Sequence, residues 1–470
     1  MYTFSSKLKV FSFVLIVLGI LGIGYSFLTA PKTIEDVEKI LNEEAAHGHG
    51  GHHAEASHHD AEFTAHGPAA EESHEGHVEK AHGHEATADA HHAEAAHDHD
   101  EHHAHLEHVL HQLKNKPWAA LYVPALFFML ISLGVLAFYA IQNAAQAGWS
   151  PVLFRVMEGI SAYLVPGAVI VFLLLVAGVL DLHHIFIWMD EEVVKGDHLI
   201  QGKSGYLNGT FFLIRAAVFM GGWILYRQYA RKKSIAQDEA TDNLNFKKHF
   251  KASAGFLVFF IITESIMSWD WIMSVDPHWF STLFGWYVFA SFIVSAVTVI
   301  AMVTLYLKSK GYLEYVNNSH IHDLAKFMFG FSIFWTYLWF SQFMLIWYAD
   351  IPEEITYFVT RIEEYNLPFF GMVVMNFVFP LLILVNSDFK RLSWVVVMAG
   401  IVILCGHYLD FFNMIMPAVV GDRWFIGIGE IGSVLFFLGL FILVVFTALT
   451  KAPLLAKRNP LVEESKHFHY

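Results

Sequence analysis

The chain has 470 residues, of which 55% are hydrophobic and only 16% charged, with 43 Phe and a mean hydropathy of +0.45. That composition excludes a soluble enzyme and describes an all-α polytopic membrane protein. The formal net charge of -15 comes largely from one His- and acid-rich stretch. The single cysteine, Cys405, excludes an intrachain disulfide, a cysteine-held iron–sulfur cluster and a C-x-x-C-H haem attachment.

Ten apolar stretches reach the roughly 20 residues needed to span a bilayer. They lie near 10–28, 118–140, 152–180, 206–225, 250–273, 280–305, 324–348, 367–385, 394–416 and 424–449. The first has an apolar run longer than the about 7–15 residues of a signal peptide. Pro31 follows its only small-residue site, Thr29-Ala30, so a retained first helix is expected.

Residues 31–117 separate the first two spans. Within them 43–111 is low in complexity and holds 20 of the 30 histidines. With almost no large apolar side chains it cannot build a core, and disorder is expected. His52, His53, His58, His59, His102, His103 and His105 could hold zinc, copper or nickel loosely, but their spacing is irregular and defines no site.

Lys and Arg alternate between loops. One side receives Lys7, Lys9, Arg227, Arg231, Lys232, Lys233, Lys390, Arg391 and the tail 451–470; the other short loops carry only Lys195, Lys203, Arg361 and Arg423, alongside the acids Asp350, Glu353, Glu354, Glu363 and Glu364. The positive-inside rule then puts both termini in the cytoplasm and the His-rich stretch in the periplasm of a bacterial inner membrane.

The polar residues inside the spans carry the functional reading, because a charge in hydrocarbon is costly and marks function by default. Arg215 and Glu264 lie at similar depth in consecutive spans and are expected to pair. Glu264, Ser268 and Trp271 share a helical face, with Asp270 rotated away. Asp181, His183 and His184 at the end of the third span, with Asp270, Asp276 and His278 after the fifth, gather proton acceptors at one end. Trp269, Trp271, Trp279 and Trp286 read as an interfacial belt there. Proton acceptors beside an aromatic slot are what a quinol site needs. A second group, His407, Asp410 and Glu430, is expected to form a proton relay extended by Asn413. Glu158, Asp323 and Asn376 are weaker candidates at the opposite end. His407 is the only deeply immersed histidine, so the paired ligands of a membrane haem are not supplied. No phosphate-binding, nucleophile-elbow or zinc-protease motif has a suitable context, and nothing supports nucleic-acid binding.

The runs Ile262-Thr263-Glu264-Ser265, Ser268-Trp269-Asp270-Trp271, Asp276-Pro277-His278-Trp279, Tyr348-Ala349-Asp350-Ile351-Pro352-Glu353-Glu354 and His407-Tyr408-Leu409-Asp410, set among ten helices, resemble the ActF-type subunit of bacterial alternative complex III. More broadly they resemble the NrfD/PsrC family. The resemblance covers about 118–449 plus the first helix; the His-rich stretch departs from it. It implies two four-helix bundles, helices two to five and six to nine, flanked by helices one and ten. It also implies a quinol:cytochrome c oxidoreductase using menaquinone or ubiquinone. The implied partners are a sister NrfD-like subunit, haem c subunits, an iron–sulfur subunit and a terminal oxidase. Two other readings stay open: an ion or metal transporter with a metal-collecting loop, and a structural anchor of such a complex. The transporter lacks paired broken helices at matched positions.

Overall fold

The structure is a computed structural model that describes residues 1–46 and 87–469. It is all-α, with no strand among the described residues. Ten helices are long and apolar enough to cross a membrane. We label them α1 (Ser6–Thr29), α2 (Thr87–Ala144), α3 (Pro151–Val179), α4 (Gly209–Glu239), α5 (Leu244–Trp271), α6 (Phe284–Ser309), α7 (Asn318–Ala349), α8 (Asn366–Leu384), α9 (Ser393–Val420) and α10 (Ile428–Leu449).

The chain divides into two units, one of 1–30 with 115–470 and one of 31–114. In the smaller unit, helix Ile34–Ala46 packs through Ile34, Val37 and Leu41 against Leu106, Val109, Leu110 and Leu113. Helix α2 starts at Thr87, inside the stretch expected to be disordered. Ala and Glu, interspersed with the histidines there, are good helix formers, and Leu106 and Val109 give that stretch one apolar edge. His102, His103 and His105 are exposed on this helix, and His103 Nδ1 lies 3.6 Å from Glu107. His52, His53, His58 and His59 lie outside the described residues.

In the larger unit, two helices form the interior. The apolar window of α2 is 94% buried and that of α6 is 89%, whereas α1 reaches only 22%. Gly134 lets α2 and α6 approach, because a Cβ there would lie 2.8 Å from the Ala296 methyl. Helix α6 packs on α5, α7 and α9; α4 packs on α3 and α5; α9 packs on α8. Helix α1 lies along α10, where a Cβ on Gly22 would come within 2.8 Å of Gly432 Cα. Small residues permit that approach where lipid offers no competing hydrophobic drive. The outward faces of α1, α4 and α7 expose Leu21, Leu225, Tyr337 and Leu345, as lipid-facing surfaces do.

Two elements exceed the sequence expectation. Helix α4 continues to Glu239, well past its apolar run, because Arg, Lys, Ala and Gln sustain a helix outside the hydrocarbon. The acidic stretch after α7 forms an amphipathic helix, Pro352–Glu363, with Pro at its start, Glu353 and Glu354 in its first turn and Arg361 in its last. Proline is favoured at that position, and the charges suit the helix dipole.

Candidate functional site

Helix α5 presents one buried polar edge: His249, Ser253, Thr263, Glu264, Ser268 and Asp270. Asp270 is fully buried and bound twice by Arg215, through Nε at 2.6 Å and Nη2 at 3.0 Å. Tyr206 donates its hydroxyl to the same carboxylate at 2.8 Å. The guanidinium lies over the rings of both Tyr206 and Phe211, 4.0 and 4.3 Å from their centroids.

The expected Arg215–Glu264 pair does not form. Glu264 is buried and accepts from Ser268 Oγ at 3.2 Å and Ser265 Oγ at 3.3 Å, and among the described residues no cation pairs with it. Helical side chains lean toward their own N-terminus. The two helices run antiparallel, so Arg215 leans toward the Gly209 end of α4 while Glu264 leans back along α5. Asp270, six residues beyond Glu264 and roughly 9 Å further along the axis, is the acid that Arg215 meets.

Beside this triad opens a cavity of about 550 Å³. Tyr206, Trp269, Met273, Trp279 and Phe280 supply its largely apolar wall, and Asp276 and Lys203 its polar edge. The size lies in the range of small-molecule sites, about 300–1,000 Å³. The Trp269 indole N–H is buried without a partner among the described residues. The Lys203 ammonium donates to Pro277 O at 2.6 Å. Burial pushes the Lys203 ammonium below its ordinary range. Burial, then the Asp270 charge, pushes the Tyr206 phenol up, so the phenol stays protonated.

The tryptophans are not a simple belt. Trp271 is fully buried and its carbonyl accepts from Tyr122 at 2.9 Å. Trp279 is buried, stacks on Tyr357 at 4.1 Å and donates to Glu354 O at 3.1 Å. Trp286 is exposed. Tertiary packing claims these rings because aromatic pairs add energy beyond the area they bury.

The imidazoles and carboxylates expected at this end fall into separate groups. His278 bonds the Asp197 carboxylate, which also caps helix His198–Lys203. His278 chiefly, and then the helix amides, hold Asp197 below the usual carboxylate range. Asp276 accepts from the His278 amide at 3.3 Å. His183 is buried with both nitrogens on backbone: Nε2 donates to Leu174 O at 3.0 Å and Nδ1 accepts from the Ile185 amide at 3.3 Å. It is structural, and burial pushes its pKa down. His184 contacts Asp181 and Asp190.

A second cluster occupies α6, α7 and α9. Asp410, fully buried, accepts from the Tyr287 hydroxyl and from Trp335 Nε1 at 2.7 Å. His407 Nδ1 lies 3.0 Å from Ser291 Oγ and 3.7 Å from Asp410. Glu430 does not join them. It sits near the start of α10 and accepts from the Gly427 amide at 2.9 Å, capping its own helix. Helix α10 starts at Ile428, later than the apolar run near 424 implied, so Glu430 falls in its first turn and meets the unsatisfied amides there. Asn413 turns to Pro368 O at 3.1 Å. Asn376 is fully buried in a π-helical turn, Val374–Val378, and its amide has no partner among the described residues.

At the opposite end of α5, Glu158 is buried among Arg155 (2.8 Å), Arg231 (3.2 Å) and the Tyr139 hydroxyl (2.9 Å), and Arg155 also binds Asp238 at 2.6 Å. Asp323 pairs with Lys326 at 3.2 Å instead.

Sequence reasoning missed Tyr206, Tyr287 and Trp335, since lone aromatics carry no periodic signal. It also placed Arg361 in an outer loop. Arg361 is buried, with its guanidinium 3.3 Å from the Tyr357 centroid and Nε donating to Asn413 O at 2.9 Å. The Pro-Glu-Glu start ahead of an amphipathic run was the available signal. No family model matches this chain, and no curated protein matches it.

Proposed function

We propose that this chain is an integral membrane subunit of a respiratory quinol:cytochrome c oxidoreductase. In this reading it contributes a quinone pocket and a path for protons, while haem c and iron–sulfur clusters reside on partner subunits. The motif resemblance to the ActF type supports the assembly, with two four-helix bundles, both termini cytoplasmic and the His-rich stretch periplasmic. The observation that carries the pocket is the Tyr206–Asp270–Arg215 triad set directly behind an aromatic cavity.

The residues fit a flat, apolar ring. Trp269, Trp279 and Phe280 would flank it, and the unpartnered Trp269 N–H would meet a ring oxygen. Menaquinone or ubiquinone, when bound, supplies two electrons and two protons on oxidation of its quinol. The Tyr206 hydroxyl links the cavity to Asp270: it can pass its proton to Oδ1 while taking one from the cavity side. Arg215 holds the carboxylate in place for that transfer.

Beyond Asp270, Ser268, Glu264 and Thr263 continue the polar edge, and Trp223 Nε1 donates to Thr263 at 3.0 Å. At the far end Ser253, Tyr226, His249, Tyr139 and Glu158 form a second polar segment. Phe256 and Phe260 lie between the two, over roughly 15 Å of helix. The arrangement suits two half-paths separated by an apolar layer, not an open channel.

A photoreactive quinone analogue on the purified assembly tests this. Crosslinks are expected within 202–207 or 269–280, and Tyr206→Phe should lower quinol turnover with the assembly intact. Crosslinks confined to another subunit, with normal turnover in Tyr206→Phe, would leave this chain without the pocket.

A further inference from the structure

We infer that the turn joining α8 to α9 binds the phosphate of an anionic phospholipid through Lys390 and Arg391, a site independent of the quinone reading. Lys390 lies in a single helical turn, Phe389–Arg391, that packs against α7. The residue is only 7% exposed, yet among the described residues its ammonium meets no hydrogen-bond acceptor and no carboxylate. It lies over the Phe329 ring, 5.0 Å from the centroid. A cation–π contact returns only part of what it costs to desolvate an ammonium. Lysine is almost never so buried unless paired, so this charge calls for an anion.

The surroundings supply further cations and no spare acid. Burial, then the nearby Lys326 charge, holds the Lys390 ammonium below its ordinary range. Lys326, Lys390 and Arg391 all lie close enough to His322 to act on its charge. Asp323, the acid of this group, is taken by Lys326 at 3.2 Å. Asp388, one residue before the turn, forms no ion pair with Lys390 or Arg391 among the described residues. A bound phosphate would therefore relieve both the desolvation of Lys390 and the mutual repulsion of these cations. The Arg391 guanidinium matches phosphate oxygens in a two-pronged fashion, and Lys390 meets them as a point charge.

Apolar side chains edge the same turn and select a lipid over a soluble phosphate. Phe389, Leu392 and Trp394 are exposed, as are Leu382 and Val385 at the end of α8. Cations bordered by exposed apolar residues, at the ends of spanning helices, offer charge to a headgroup and a wall to its acyl chains. Trp favours that interfacial depth.

The full chain, delipidated in mixed micelles, is titrated with phosphatidylglycerol or phosphatidylcholine, with inorganic phosphate as competitor, and bound lipid is counted by native mass spectrometry. Phosphatidylglycerol is expected to bind about tenfold or more tighter than phosphatidylcholine. Lys390→Met and Arg391→Gln should each weaken that binding about tenfold, the scale of one charge-assisted hydrogen bond. Lys248→Gln, which removes an exposed cation on α5, should leave it unchanged. Lys390→Met keeps the packing on Phe329 and removes an unpaired buried charge, so the lipid-free melting temperature should hold or rise. Arg391 is exposed, so its variant guards against misfolding. Equal affinity for phosphatidylcholine would overturn the site, as would displacement by inorganic phosphate at equal concentration. Phosphatidylglycerol held with unchanged affinity by both variants, or weakened as much by Lys248→Gln, would overturn it as well.

Discussion

Removing Arg215 alone should destabilise the chain far more than removing it together with its partner. Asp270 is fully buried, and Arg215 and Tyr206 supply its only side-chain bonds among the described residues. With charge centres about 4 Å apart and an effective dielectric of about 20, the pair attracts by about 4 kcal/mol. Arg215→Met leaves a buried carboxylate with one phenol, and breaking such a pair typically costs about 3–5 kcal/mol. Replacing both members with apolar residues removes the desolvation penalty too, so Arg215→Met with Asp270→Leu should recover most of that loss. Equilibrium unfolding in mixed micelles, across the four members of the cycle, gives the coupling energy. A single-variant loss below about 1 kcal/mol, or strict additivity, would refute the reasoning. Turnover of the same proteins separates the roles: a pair that only holds helices leaves the stable double variant active, whereas the proposed proton path leaves it folded and slow.

Glu264→Gln should shift stability by less than about 1 kcal/mol, since serine hydroxyls, which an amide also bonds, are its partners; a loss like that of Arg215→Met would mean an ion pair was overlooked. Trp335→Phe removes a donor to the buried Asp410 carboxylate and should cost about 1.5–3 kcal/mol, read by the same unfolding assay. Gly432→Leu drives a side chain into Gly22 and should detach α1 from α10, seen as lost crosslinking between cysteines placed on the two helices, with about 1–3 kcal/mol of overpacking. Asp197 titrates below its unfolded value because His278 and helix amides bond its carboxylate. Its stabilisation is therefore complete above the ordinary Asp value of about 3.9 and disappears as pH falls below it. Amide exchange in His198–Lys203 should accelerate over that acidic window, and Asp197→Asn, which retains the cap, should flatten the response.

The ten spans and the all-α class were legible in the sequence because hydrocarbon thickness and backbone hydrogen bonding leave a helix few alternatives. The buried acids were legible for the same reason: Glu264, Asp270, Asp410 and Glu158 stand out in apolar runs. Their partners were not. Arg215 met Asp270 and not Glu264, because side chains lean along antiparallel helices in opposite directions, a vector that residue counting discards. Glu430 was assigned to a relay by depth and instead caps α10, because a helix start offers unpaired amides closer than His407. The residues 87–111 were read as disordered from their polarity, yet Ala and Glu favour the helix that forms from Thr87. Tyr206, Tyr287 and Trp335 became important only once helices distant in sequence set a hydroxyl or indole N–H against a buried carboxylate. Composition and periodicity, which act through each segment's own solvation, determined what enters the membrane. Which side chain neutralises which charge, and where an aromatic cavity opens beside them, depends on distances between segments and was decided only by the packing.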